Sequence, residues 1–284
     1  MTLVMGAVAY DPKVVTIWGG FRAWLRDQDF DFDFDFVLYS HYERQVEDLV
    51  AGRIDAAWNS PLAWLRAERL ARSAGRDLTP LVMRDTDQDL TSVVVVRSDS
   101  PHKDLADLKG ETIGVGAVDS PQATLIPCAH LAAAGVRPGS DVRIRRFDVG
   151  VGLHGDHIGG ERDAARALVA GEVAAACMID GNHLLFGQEG TLPAGSTRVI
   201  GRTAAYDHCN MTVGAAAAAD VDRFGDLLLS MSYADPRVRP LLDLEGLTAW
   251  LPGRKTGYAA LAEAVGQVGF YDAKGAVTAA EYLP

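Results

Sequence analysis

Cysteine is scarce in this sequence and forms no pattern. Of 284 residues, three are cysteine: Cys128, Cys177 and Cys209. One at least stays unpaired, and neither a disulfide framework nor a CxxC pair is possible. Such a count suits a reducing compartment. Basic residues are outnumbered, 27 Lys and Arg against 38 Asp and Glu, for a net charge of −11. That excludes nucleic acid as a partner, although a cleft on an acidic protein can still be locally positive and hold a small anion. No run approaches the roughly 20 apolar residues that cross a bilayer, so no membrane insertion is expected. The stretch MTLVMGAVAYDPK has no basic segment ahead of an apolar core and no cleavage site. It predicts a cytoplasmic protein, or a periplasmic or extracellular one if a leader was removed. The signatures HExxH and GxSxG are also missing, so neither a zincin nor a serine hydrolase of that type is indicated.

What is present is a repeated phrase. LVAGRIDAAWNSP (Leu49 to Pro61) and LVAGEVAAACMID (Leu168 to Asp180) share one plan: a helix, a glycine stop, an apolar strand and a loop. Around each, short β-branched runs alternate with helical patterns. TLVMGAVAY, IDAAW, SVVVVRSD, LKGETIGVG and VRIRRFDV read as strands. Residues 13 to 27 and ERDAARALVAG read as helices, and Ser60-Pro61 and Ser120-Pro121 each open one with an N-cap and a proline. In DFDFDFVLYS, Phe30, Phe32, Phe34 and Phe36 share one side, and Asp29, Asp31, Asp33 and Asp35 a solvated other side. Alternating units predict mainly parallel sheets with helices on both faces. The echo predicts two similar lobes facing each other across a cleft. Helices after Thr212 would return to the first lobe. That gives a discontinuous lobe of residues 1–92 and 212–284 and a second of 93–211, with crossings near Ser92–Arg97 and Met211–Gly214.

The series LVAGRIDAAWNSPLAWLRA, TSVVVVRSDSPHKDLADLKGETIGVGAVDSPQATLIP and ERDAARALVAGEVAAACMID resembles the phosphate/phosphonate-type periplasmic solute-binding proteins. The resemblance covers about residues 40 to 215. It implies the type II periplasmic-binding-protein fold, an α/β architecture with a ligand cleft between two lobes. It further implies that the loop AVDSPQAT holds an anionic head group through Ser120, Gln122 and Thr124, where free N–H groups and a helix dipole favour negative charge. A histidine, His154 or His157, and Asp180 would read the rest of the ligand. Tyr10, Tyr39 and Tyr42 are the aromatic candidates of the first lobe, and Asn59 and Ser60, in the echo's loop, are further ligand-binding candidates. An ABC-type permease is the implied partner if the protein is exported.

The loops also carry metal-type ligands: His154, Asp156, His157, His183, Asp207, His208, Cys209, His41 and Glu43. Imidazole, thiolate and carboxylate suit zinc, iron or copper. His154, His157, His208 and Cys209 are the candidate ligands, although no spacing is a tight signature. Two functional readings follow. In one, the chain binds a small anionic or zwitterionic solute, phosphonate-like, phosphate-like or a carboxylate, by hinge closure. In the other it is a cytoplasmic, metal-assisted enzyme on the same fold, as some biosynthetic enzymes of this fold are, with His157 and Cys209 catalytic. His208 and Cys209 are adjacent, which on a strand points them to opposite faces and argues against direct pairing. GVGLHG (Gly150 to Gly155) formally matches GxGxxG, but its helix is delayed and a glycine-rich lid is the better reading.

Overall fold

A computed structural model describes residues 2–28, 33–148, 157–214, 219–279 and 282. The first half runs β1 (Thr2–Val8), α1 (Lys13–Arg26), β2 (Asp33–Tyr39), α2 (Tyr42–Ala51), β3 (Ala56–Asn59), α3 (Pro61–Ser73) and β4 (Leu78–Arg84). The chain then enters β5 (Ser92–Arg97), β6 (Thr112–Val115), α4 (Ile126–Ala133), β7 (Arg143–Arg146), α5 (His157–Val169), β8 (Ala175–Ile179), α6 (Asp180–Gln188) and β9 (Thr197–Arg202). It closes with β10 (Asn210–Gly214), α7 (Ala219–Ser230), α8 (Arg239–Glu245), β11 (Trp250–Pro252) and α9 (Ala259–Val268).

Two sheets result, in the orders β11-β4-β10-β3-β1-β2 and β7-β6-β8-β5-β9. The echo now has its structural reason. β3 lies between parallel β1 and antiparallel β10, and β8 lies between parallel β6 and antiparallel β5. The two repeated phrases thus occupy equivalent places in the two sheets. Gly52 and Gly171 end their helices at φ 74° and 73°, a conformation a side chain would strain. Both sheets are mixed because the strand that follows each crossing, β5 in the second sheet and β10 in the first, runs antiparallel to both its neighbours, and β11 is antiparallel to β4 as well. The crossing segments are residues 85–91 and 203–209. β5 lies wholly in the second sheet, and β10 re-enters the first at Asn210, two residues before the expected boundary.

Each sheet has a core on both faces. Trp18, Phe21, Trp58, Phe224 and Trp250 pack on one side of the first sheet, and Trp64, Tyr258, Leu261 and Phe270 on the other. Four consecutive valines, Val93 to Val96, are fully buried and divide alternately between the two cores of the second sheet, as period-two geometry requires. In β2, Phe34 is buried and Asp33 and Asp35 are exposed; Asp35 accepts from Arg22 at 2.8 Å. Asp29, Phe30, Asp31 and Phe32 lie outside the described residues.

The second Ser-Pro start differs from a simple helix. Ser120 caps Ala123 N at 3.2 Å, but the first turn, Pro121–Leu125, is wide and of π type. Pro127 has no N–H to give the carbonyl of Ala123, and that carbonyl accepts from Gly116 N at 3.3 Å instead. No helix among the described residues is long and apolar enough to cross a membrane.

Candidate functional site

The two crossing segments run side by side and are bonded to each other. Leu90 and Tyr206 exchange both backbone hydrogen bonds at 2.8 Å, and His208 N donates to Asp87 O at 2.8 Å. Asp207 is fully buried. It takes two bonds from Arg254, at 2.7 and 2.6 Å, and one from Asp89 N at 3.1 Å. Arg254 also reaches Asp89 at 2.7 Å, so one guanidinium clamps both crossings. Asp89 has φ 55°, left-handed backbone that Asp tolerates better than most residues.

A cavity of about 100 Å³ opens beside these segments. The first lobe supplies Tyr10, Tyr42, Glu43, Trp58, Ser60 and Arg84. The second lobe supplies Asp119, Pro121 and His157, the second crossing His208 and Cys209, and the C-terminal region Tyr271 and Tyr282. Tyr10, Trp58, Ser60, Arg84 and Asp119 stand at or just beyond the C-terminal ends of β1, β3, β4 and β6, where ligand sites of α/β sheets form.

The cavity wall is polarised. On one side Arg84 donates to both oxygens of Asp87, at 2.5 and 2.9 Å, and lies 5.4 Å over the Trp58 ring. His208 Nδ1 lies 3.2 Å from Cys209 Sγ and 3.4 Å from Asp87 Oδ1. Burial works to lower the His208 pKa, but Cys209 and Asp87 outweigh it and hold the imidazole up at about 10. Its Nε2 is buried and has no partner among the described residues. Burial likewise works to raise Asp87, yet Arg84 and His208 hold it at about 2. Other wall residues are acidic. Glu43 is 6% exposed, and its Oε1 accepts from Tyr282 Oη at 3.0 Å. Asp119 is 3% exposed, and burial, with Glu43 and Asp148 adding to it, pushes its carboxyl up to about 8.

The expected site residues divide. Tyr10, Tyr42, Ser60, His157, His208 and Cys209 line this cavity. Ser60 Oγ also caps α3 at Ala63 N. Tyr39 is not among the lining residues and donates to Asp48 at 3.0 Å. Asn59 is fully buried between Gln45 and Thr212, bonded to them at 2.9 and 2.8 Å. Ser120, Gln122 and Thr124 are buried but absent from the lining; the Thr124 hydroxyl donates to Ala117 O at 2.7 Å. Asp180 pairs with Arg202 at 2.7 Å, in another depression that also holds His183. His154, Asp156 and the GxGxxG match lie outside the described residues. His41 sits 3.6 Å from Glu43.

Sequence reading missed Arg84, Asp87, Trp58, Asp119, Tyr271 and Tyr282. Asp119 had a signal, its place beside the loop serine. Arg84 and Asp87 had only their i, i+3 spacing. The expectation that His208 and Cys209 diverge is corrected: the segment before β10 is not regular strand, and the two side chains touch. Asp87 and Cys209 nevertheless address the same ring nitrogen. A nucleophile–base–carboxylate relay needs them on opposite nitrogens, so this cluster is not one.

A model of the phosphonate ABC transporter periplasmic substrate-binding proteins matches residues 6–258. Among solved structures, PhnD1 from Prochlorococcus marinus in complex with methylphosphonate is similar at TM-score 0.67 and 16% identity, covering 94% of this chain and 98% of that one. XAC2383 from Xanthomonas citri bound to chloride ion is similar at 0.65 and 18%, covering 93% and 96%. The periplasmic aliphatic sulphonate binding protein SsuA from Escherichia coli is similar at 0.53 and 19%, covering 87% and 75%. No curated protein sequence matches the chain.

Proposed function

Because this chain belongs to the periplasmic substrate-binding proteins of phosphonate ABC transporters, we propose that it captures a small zwitterion, an aminoalkylphosphonate or aminoalkylsulfonate, between its lobes. The observation that carries this reading is the mixed charge of one small cavity. His208, charged and with an unpartnered Nε2, and Arg84 would meet the anionic group. Glu43 and Asp119 would meet the ammonium. Tyr10, Tyr42 and Trp58 would enclose the short carbon link. An anion alone would leave two buried acids facing it.

Asp119 and His157 belong to the second lobe and the other named groups to the first lobe or the crossing. A ligand touching all of them favours the state in which the lobes are closed. The crossing segments 85–91 and 203–209 are the place for a hinge. Delivery to an ABC permease is the partner relation this reading carries, and the family's periplasmic description favours export over the cytoplasmic expectation.

Calorimetry with methylphosphonate and aminomethylphosphonate tests the reading. Both should bind, the amino compound at least tenfold tighter. Failure of both to bind, or tighter binding of methylphosphonate, would overturn it.

A further inference from the structure

Asp87, His208 and Cys209 each offer one ligand atom, and these atoms all lie within 4.8 Å of one another. Two sides of the triangle, 3.2 Å from Sγ to Nδ1 and 3.4 Å from Nδ1 to Oδ1, are close to the separation of ligands that share one small cation, and a shift of a few tenths of an ångström in Sγ would complete the fit. With bonds of about 2.0–2.3 Å, the ligand atoms of a tetrahedral centre stand roughly 3.3–3.8 Å apart. Imidazole, thiolate and carboxylate together are a zinc-type donor set.

We propose that Asp87, His208 and Cys209 form a site for a divalent transition metal of the zinc class, with a fourth position open to the interlobe cavity. The metal takes the place of the proton on Nδ1. Cys209 binds as thiolate and His208 as neutral imidazole, and the displaced protons go to solvent. Two negative ligands then balance a doubly charged cation. Arg84 fixes the Asp87 carboxylate through both its oxygens, as outer partners of metal ligands do. His208 keeps a proton on Nε2, the atom that has no partner among the described residues.

The position has a mechanical consequence. Asp87 belongs to the first crossing, and His208 and Cys209 to the second. One ion would tie the two segments where they already exchange a backbone bond, from His208 N to Asp87 O. The proposal rests on the solute-binding reading only in its fourth ligand, an oxygen of the captured anion.

Cobalt(II) titrated into the chelator-stripped full chain should give a thiolate-to-cobalt absorption band that saturates at one equivalent. Cys128→Ala, a buried cysteine elsewhere, should keep the band. Cys209→Ala should lose it and weaken zinc binding at least a hundredfold. No band, or a band that survives Cys209→Ala, overturns the site. Should that variant fail to fold, alkylation of the native protein replaces it: zinc should slow modification of Cys209 at least tenfold, and an unchanged rate overturns the site. Methylphosphonate calorimetry separates the two readings. Binding that persists in chelator without a cobalt band removes the metal and leaves the solute reading. A band without solute binding does the reverse.

Discussion

The Asp119 carboxyl makes the ammonium preference depend on pH, with a sign and a size. Its pKa is pushed up to about 8, first by burial and then by Glu43 and Asp148. An ammonium against it favours the ionised form, so at low pH ligand binding must first expel a proton. At about pH 6, roughly two units below that value, this costs about 2.7 kcal/mol; by about pH 8 the cost is under about 0.5 kcal/mol. The clean probes are 2-aminoethanesulfonate and ethanesulfonate, because neither titrates across this range. Measured by calorimetry, the affinity ratio of the amino compound to its plain counterpart should rise by about fiftyfold from about pH 6 to about pH 8, with at most about a further twofold above it. The ratio cancels effects on the shared sulfonate. In Asp119→Asn it should stay flat. A flat ratio in the native protein, or the same slope in Asp119→Asn, would refute the placement of the ammonium.

Four further results are expected. Arg84→Leu leaves the buried Asp87 carboxylate without its bidentate partner and should cost about 3–5 kcal/mol in chemical denaturation; a loss under about 1 kcal/mol would contradict that pairing. Gly257→Ala drives a methyl group into the Asp207 carboxylate and should cost more than about 2 kcal/mol in chemical denaturation. Asn59→Leu should cost about 1–3 kcal/mol, because it strips Gln45 and Thr212 of their buried partner. His208 has its folded pKa raised to about 10. In the metal-free protein its contribution to stability is therefore complete below about 6.5 and lost as pH rises through about 10; unfolding curves for His208→Gln in chelator should lack that alkaline loss, and an unchanged profile would count against the charged imidazole.

The fold was legible because its signals are local and repeated. Gly52 and Gly171 stop helices through their own backbone, and Ser60 caps α3 within three residues. The valine run of β5 announces a strand buried on both faces. Two such units in the same order were enough to imply two lobes. What the words could not show was the direction of the inserted strands. SVVVV reads the same whether its neighbours run with it or against it; only the crossing fixes that β5 pairs antiparallel with β8 and β9.

The site was less legible for a physical reason, since its groups come from segments distant in sequence. Ser120 and Thr124 looked like anion ligands because hydroxyls at a helix start serve that purpose, but the same hydroxyls can satisfy their own backbone, and here they bond Ala123 N and Ala117 O. Arg84 and Asp87 drew no attention because an i, i+3 pair of opposite charge is ordinary on a surface. Their meaning comes from burial. Asp87 is 1% exposed, and a carboxylate so buried stays ionised only beside a cation. That requirement brings Arg84 and His208 to the same carboxylate, and the backbone bond from His208 N to Asp87 O lays the second crossing against the first. The charge pattern of the cavity and the join between the lobes are therefore one structure: a change that unpairs Asp87 should disturb solute affinity and hinge stability together.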